Sequence, residues 1–501
     1  MSHKQLKEEF VSGLTGGSVQ EIYAVTGTAL AALLAHTCVQ RWLVPRIPIL
    51  TKFPVLFIVA FYFDVLIQLQ AITIYGGRVL GLYYTAASIA IGAFVYGCIY
   101  VAGHKQHKQQ KQQKQQKQQK QQKQQKQHKE ASKRNTCLET LGQIPYITAY
   151  RSQMLVITNL AILAVDFHVF PRRFAKVETW GTSMMDLGVG LFVFSMGLAN
   201  SRSLIKKSLA KHQNSQNYLR LLWGNTLKAL PVLCLGLVRL VSVKSLDYQE
   251  HVSEYGVHWN FFMTLGLLPV FLGIVDPLFA VVPRFIVALA IGIVYECMLT
   301  HGGLGRYVLD ESNRHDNLFT LNKEGLASFV GYLSIFIFGQ SFGSFVLPTR
   351  KLPNNLVGIG LPQKPRRWLT VSPTQGLVIA TLVLFGLFHV SAVSVFTGAI
   401  SRRLANLPYV LWVVSYNAAM LLGYNLAERL AGPIDSKILN AINKNGLAIF
   451  LVANLATGLV NMGFDTLQAS DGMAYSILIV YSLSWVGLAL ALDHYKVYIK
   501  I

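Results

Sequence analysis

The sequence predicts an all-α fold, a polytopic membrane protein with about thirteen transmembrane helices. Three observations lead there. Of the 501 residues, 52% are hydrophobic and only 14% charged, where soluble chains carry about 25% charged residues. Mean hydropathy is +0.40. The apolar residues gather in runs of about twenty, the length that lets a helix cross hydrocarbon with its backbone polar groups satisfied internally.

In chain order the expected spans are 22–43, 53–74, 79–102, 146–167, 182–200, 219–241, 259–280, 284–300, 326–348, 373–397, 408–427, 446–464 and 474–494. The seventh and eighth are divided only by a short turn marked by Asp276, Pro277, Pro283 and Arg284. The first twenty residues are polar and lack a cleavable signal pattern, so the first span is expected to act as its own signal anchor. Cations then orient the set. With the N-terminus lumenal and the C-terminus cytosolic, about thirty Lys and Arg fall on the cytosolic side and about thirteen on the other.

The net charge of +22 is uneven, with eleven Lys/Arg and one Glu between His104 and Arg134. Lys-Gln-Gln repeats there with a period of three, which spirals around a helix instead of forming one face. That composition cannot bury a core, so disorder is expected. The organisation predicted is a lumenal segment at 1–21, three spans in 22–103, a Lys/Gln-rich cytosolic loop at 104–144 and the main bundle at 145–501, with 22–103 and 145–501 forming one domain. No folded basic module is visible, which argues against nucleic acid as a partner. The five cysteines are scattered without CxxC or metal spacing, so neither disulfides, a metal nor a cofactor is expected.

The informative polar segments cluster on the expected lumenal side. The first runs from Asp166 to Ser195, with Arg172, Arg173, Lys176, Glu178 and Asp186. Ionisable groups beside hydrocarbon usually pair or serve a site. Asp166 closes an apolar helix, a setting that suits a general base. Lys176 could pair with Asp166 or stabilise a developing oxyanion; structural pairing of these charges explains them equally well.

The second segment, 246–262, carries Asp247, Glu250, His251, Glu254 and His258. A metal site is imaginable, but interfacial aromatic anchoring by Tyr255 and Trp259 accounts for the region without one. His258 and Asn260 are similar to the His and Asn of other membrane-bound acyltransferases, although a hydrogen-bonded structural histidine fits as well. The third segment, 401–412, holds Arg402 and Arg403, whose planar forks suit phosphate. The fourth, 443–462, places Asn445, Asn454 and Asn461 near one expected helical face, for interhelical bonding or a polar groove. Asp64 and Glu296 lie deeper and are expected to form buried pairs.

Read in order, FPRRFAKVETWGTSMMDLGVGLFVFS (170–195), EYGVHWNFF (254–262), SRRLANLPY (401–409) and NGLAIFLVANLATGLVNM (445–462) resemble the GPI-anchor inositol acyltransferase family, the fungal GWT and mammalian PIG-W proteins. KEEFVSGLTGGSVQEI (7–22) and PYITAYR (145–151) extend the resemblance over nearly the whole chain. It implies a thirteen-span protein of the endoplasmic reticulum with its polar loops in the lumen. The implied reaction moves a fatty acyl chain, typically palmitoyl, from acyl-CoA to the inositol of glucosaminyl-phosphatidylinositol. The implied catalytic pair is Asp166 and Lys176.

No Ser or Cys nucleophile motif stands out, which favours direct transfer. Arg172, Arg173, Arg402 or Arg403 are expected to grip phosphates, and His258, Asn260 and Asn461 to contact substrate. Two other classes remain as alternatives: a multi-pass transporter or flippase, for which no internal repeat is visible, and a non-catalytic scaffold.

Overall fold

A helix forms over every expected span in the computed structural model, which describes residues 9–10, 12–112, 141–209, 218–245, 252–312, 314, 316–358, 364, 366–395 and 399–499. These helices are α1 (Val19–Trp42), α2 (Val55–Ile72), α3 (Leu80–Gln112), α4 (Pro145–Ala164), α5 (Met184–Leu209), α6 (Tyr218–Ser245) and α7 (Phe261–Val275). They continue as α8 (Arg284–Thr300), α9 (Lys323–Val346), α10 (Pro373–Val390), α11 (Leu407–Ala431), α12 (Gly446–Gly463) and α13 (Asp471–His494). Among the described residues there is no β-strand, only an isolated parallel bridge between Gly16 and Thr182.

Ten of these helices are long and apolar enough to cross a membrane. The other three depart for identifiable reasons. α4 turns Tyr146, Tyr150, Ser152, Gln153 and Asn159 into the bundle, where they are buried. α6 carries Arg220, Lys228 and Lys244, which confine its apolar stretch to Ala229–Val241, itself interrupted by Arg239. α8 has only 17 residues. The turn expected between the seventh and eighth spans is a single 3-10 turn, Asp276–Ala280.

α3 runs further than expected, to Gln112, through the first Lys-Gln-Gln units. Lys and Gln are good helix formers, and elongating an existing helix avoids the cost of nucleation. The rest of the repeat, for which disorder was expected, lies outside the described residues, as do Asp247, Glu250 and His251.

The buried centre is α9, which packs on α5, α7, α8 and α11. Apolar all round, it behaves as a helix enclosed by others. Its approach to α5 depends on small residues: a Cβ at Gly339 would press on the Phe194 carbonyl, and one at Gly197 on the Phe336 carbonyl. In hydrocarbon such close backbone packing replaces the hydrophobic drive as the source of association. Gly339→Ala is therefore expected to cost about 1–3 kcal/mol through overpacking, read as a lower unfolding temperature in detergent.

Helices α3, α10, α12 and α13 form the outside and present Ile91, Ile99, Leu382, Leu455, Leu459 and Val480 outward. Exposed aliphatic side chains on this scale suit lipid as the solvent. Of the two deep carboxylates expected to pair, Asp64 has a side-chain partner and Glu296 meets a backbone N–H instead. A π-helical turn at Tyr62–Leu66 presents Asp64 to His36 at 2.9 Å and to the Ser436 hydroxyl. Glu296 accepts the Leu407 N–H at 2.8 Å, capping the start of α11.

Candidate active site

Segments distant in sequence are stitched together at one end of the bundle. Gly17 N–H donates to the Thr182 carbonyl at 2.8 Å, Glu178 N–H to the Leu14 carbonyl, and Gly181 N–H to the Ile400 carbonyl. Gly16 (φ +81°) and Gly181 (φ +134°) sit in this contact, where a Cβ would strike the Thr182 and Thr15 carbonyls respectively. Residues 12–21, 170–186 and 399–406 thus form one cap, into which the end of α4 and the last turn of α12 project.

Beneath the cap lies a cavity of about 740 Å³, within the range of about 300–1,000 Å³ usual for small-molecule sites. One face of α4 walls it with Tyr150, Met154, Ile157, Ala161 and Val165, spaced by three or four residues. From Tyr150 to Asp166 that wall runs about 24 Å at 1.5 Å per residue, so the cavity is a tunnel. Its lining is mostly apolar, with Met185, Leu191, Phe192, Phe261 and Phe450 opposite.

The polar groups collect at the two ends. At the capped end Asp166, just past the C-terminus of α4, accepts a hydrogen bond from the Asn461 amide at 2.7 Å. Lys176 lines the same cavity, and its ammonium donates to both carboxylate oxygens of Glu254 at 2.9 Å. Lys176 is thus held by Glu254 and not by Asp166. The Lys176 side chain is 41% exposed and that of Glu254 only 11%, so the pair offers its ammonium to the tunnel.

Arg402 anchors this arrangement. Its guanidinium bonds Asp186 at 2.7 Å and Glu254 at 2.8 Å. Burial alone would lower its pKa, but the Glu254 and Asp186 carboxylates outweigh that and raise it. Asp186 also accepts the Ser183 hydroxyl at 2.8 Å. At the opposite end Gln68 and Gln153 line the tunnel, and Tyr424 donates to Gln153. The Gln68 carbonyl oxygen and the Gln153 amide nitrogen are buried without a partner among the described groups.

The expected site residues separate into two sets. Asp166, Lys176, Asn260, Arg402 and Asn461 line the tunnel; Arg172, Arg173, His258 and Arg403 do not. Arg172 folds back to donate to the carbonyls of Val165, Phe167 and Phe170 at 2.8–3.2 Å. Burial pushes its pKa down to about 10, with the charge of Asp166 opposing. Arg173 bonds Glu21 at 2.8 Å and the Gly76 carbonyl at 3.0 Å. Arg403 and Arg314 share Glu324, at 3.3 and 2.6 Å. All four arginines expected to grip phosphate are held by protein groups.

Asn260 caps α7, accepting from the N–H groups of Phe262 and Met263, while its amide donates to the Gly236 carbonyl. The His258 ring is outside the tunnel, and its N–H backbone group donates to Asn322. Asn260 is therefore engaged by the local turn, whereas His258 is held through its backbone and its ring Nδ1 is buried without a partner among the described groups. Asn454 and Asn461 face the tunnel, but Asn445 instead binds Val497 and Ile499 of the C-terminal tail.

In the sequence Glu254 stands out only as a metal candidate and as the first residue of the EYGVHWNFF block, with no role attached, and Glu324 gives no signal at all. Tyr150, Gln153, Gln68 and Tyr424 were hidden in apolar spans. The helical spacing of the α4 polar residues was the one available clue to the tunnel wall.

The GWT1 family model matches residues 3–492. The chain is 49% identical to GPI-anchored wall transfer protein 1 of Candida albicans, over 100% of this chain and 99% of that protein. It is 48% identical to the protein of the same name from Debaryomyces hansenii, over the whole of both chains, and 39% identical to that of Saccharomyces cerevisiae, over 99% of each. With a family model covering almost its entire length and such relatives matched end to end, the chain belongs to the GWT1 family.

Proposed function

We propose that this membrane protein acts in GPI-anchor biosynthesis by transferring a fatty acyl group, palmitoyl, from acyl-CoA to an inositol hydroxyl of glucosaminyl-phosphatidylinositol. The observation that carries the reading is the long apolar tunnel ending at Asp166 and Lys176. Its wall of about 24 Å along α4 exceeds the roughly 15 Å depth of one leaflet of lipid chains, so it accommodates a long acyl chain.

In this reading Asp166 takes the proton of the inositol hydroxyl as its oxygen attacks the thioester carbonyl. Asn461 fixes the carboxylate for that transfer. The Lys176 ammonium stabilises the oxyanion that develops on the carbonyl oxygen. Collapse of the tetrahedral intermediate breaks the carbon–sulfur bond, and the proton held by Asp166 passes to the departing thiolate. Glu254 and Arg402 orient Lys176 without touching substrate. The capped end faces the lumen of the endoplasmic reticulum, with the N-terminus on the same side and the C-terminus in the cytosol.

The test supplies purified protein with palmitoyl-CoA and glucosaminyl-phosphatidylinositol and follows acyl-inositol product by mass. Product from the folded wild type is the expected result; none would favour the transporter reading. Glu254→Gln should lower kcat about 10–100-fold, because a misplaced catalytic group costs rate on that scale, while KM for both substrates changes little. Steady-state kinetics on protein of verified fold checks this.

A further inference from the structure

The central helix α9 is uncovered at one place. Of its 24 residues only Leu326 and Val330 are not buried, and both open into a second cavity, about 680 Å³ in volume, on the outside of the bundle. α8 forms the facing wall. Ile286, Ala290, Val294 and Met298 recur along it every four residues, so the groove runs about 18 Å beside that helix. The short helix Leu304–Leu309 and Phe319 close it at the end that bears the cap. Lys323 is the one charged side chain in the lining, and its ammonium donates to the Tyr307 and Asp310 carbonyls. The groove shares no lining residue with the tunnel, yet it backs onto the cap: Tyr295 in its wall donates to the Leu404 carbonyl at 2.7 Å, two residues beyond Arg402.

Packed interiors leave few voids, because unfilled space forfeits the dispersion contacts of the atoms around it. Val294 and Met298 are exposed at the open flank, which faces the hydrocarbon surrounding the helices, so the matter available to fill the groove is a lipid chain. A length of about 18 Å along α8 matches one chain reaching through a leaflet roughly 15 Å deep. At the capped end, where a headgroup comes to rest, Arg306 is exposed on the short helix and forms no hydrogen bond or ion pair among the described residues. Its planar donor fork suits a phosphate. We propose that this groove holds one acyl chain of a bilayer phospholipid, with the lipid phosphate at Arg306, as a resident part of the fold. The lipid covers α9 and supports from behind the segment that carries Arg402. The proposal stands whether or not the protein transfers an acyl group.

Ala290 is small, exposed and midway along the groove, so Ala290→Trp fills the space without entering the core. Val294→Trp, at a position already 60% exposed, is a second occluding variant. Ile293 lies on the same helix, exposed but outside the lining, and Ile293→Trp is the control. Native mass spectrometry of the full chain in mild detergent, titrated with phosphatidylinositol or with diacylglycerol of the same chains, reads the lipid bound per chain. Wild type and Ile293→Trp should each retain one phosphatidylinositol, and both occluding variants of verified fold should lose it. Arg306→Gln should weaken phosphatidylinositol about tenfold, the loss of one charge-assisted hydrogen bond, and leave diacylglycerol unchanged. Retention in the occluding variants equal to that of Ile293→Trp overturns the site, and an unchanged phosphatidylinositol affinity in Arg306→Gln overturns the placement of the phosphate. A wild-type mass of two chains that falls to one in Ala290→Trp would give the groove to a second copy of the protein and likewise overturn the lipid.

Discussion

Asp166→Asn is expected to abolish acyl transfer, lowering kcat about 10²–10⁴-fold, the usual contribution of a positioned general base, while leaving the fold intact. The asparagine preserves the shape of the side chain and can still accept from Asn461, whose amide is the neighbour at 2.7 Å. What it loses is the capacity to take the hydroxyl proton. Asp166→Glu keeps the base but moves it by a methylene at the rim of the tunnel, so partial activity is expected. The measurement is acyl-inositol formation by protein matched for expression and unfolding temperature. Full activity in Asp166→Asn would move the proton acceptor elsewhere at the capped end, with Glu178 and Glu254 the other carboxylates in the same lining.

Arg402→Met should produce the largest loss of stability. Removing the guanidinium leaves Asp186, 1% exposed, and Glu254 without their shared cation. Breaking a buried pair from one side costs about 3–5 kcal/mol, because the surviving charge is stranded. The damage comes from the carboxylates left behind and not from the missing arginine itself. Adding Asp186→Asn to Arg402→Met should therefore restore part of the loss. Thermal unfolding of the single and double variants in one detergent separates the two accounts: a double variant no better than the single would show that Arg402 stabilises through packing alone.

The spans were legible because hydrocarbon imposes a length and a composition that no other environment demands, and a helix formed over each. Asp166 and Lys176 were legible for the related reason that charge beside an apolar run is rare. Their partners were not. Glu254 is 78 residues from Lys176, and nothing local distinguishes it from its acidic neighbours. The adjacent arginines of PRRF suggested an outward grip on phosphate, yet a guanidinium shortly after a helix end can just as readily gather the free carbonyls of the turn that leaves the helix, as Arg172 does with Val165 and Phe167.

The asparagine series failed on arithmetic that the sequence contained. At about 100° per residue, Asn454 and Asn461 are seven apart and nearly eclipsed, whereas Asn445 is nine before Asn454 and about 180° away. It occupies the start of α12, where its side chain can reach the tail instead. The tunnel was invisible for another reason: its walls come from helices whose apolar residues look the same facing a cavity as facing lipid.

The arrangement around Arg402 also carries a timetable. Asp186 is 216 residues ahead of the arginine that neutralises it, and a ribosome adding about 5–20 residues per second covers that distance in roughly 10–40 s. Throughout this interval α5 resides in the membrane with a carboxylate at its entrance whose cation has not yet been made. The capped end of the nascent protein is consequently incomplete until the segment before the eleventh helix arrives, and a chain truncated before Arg402 keeps Glu254 paired with Lys176 but leaves Asp186 without its cation. The same residues that order the capped end thereby distinguish a finished molecule from an abandoned one.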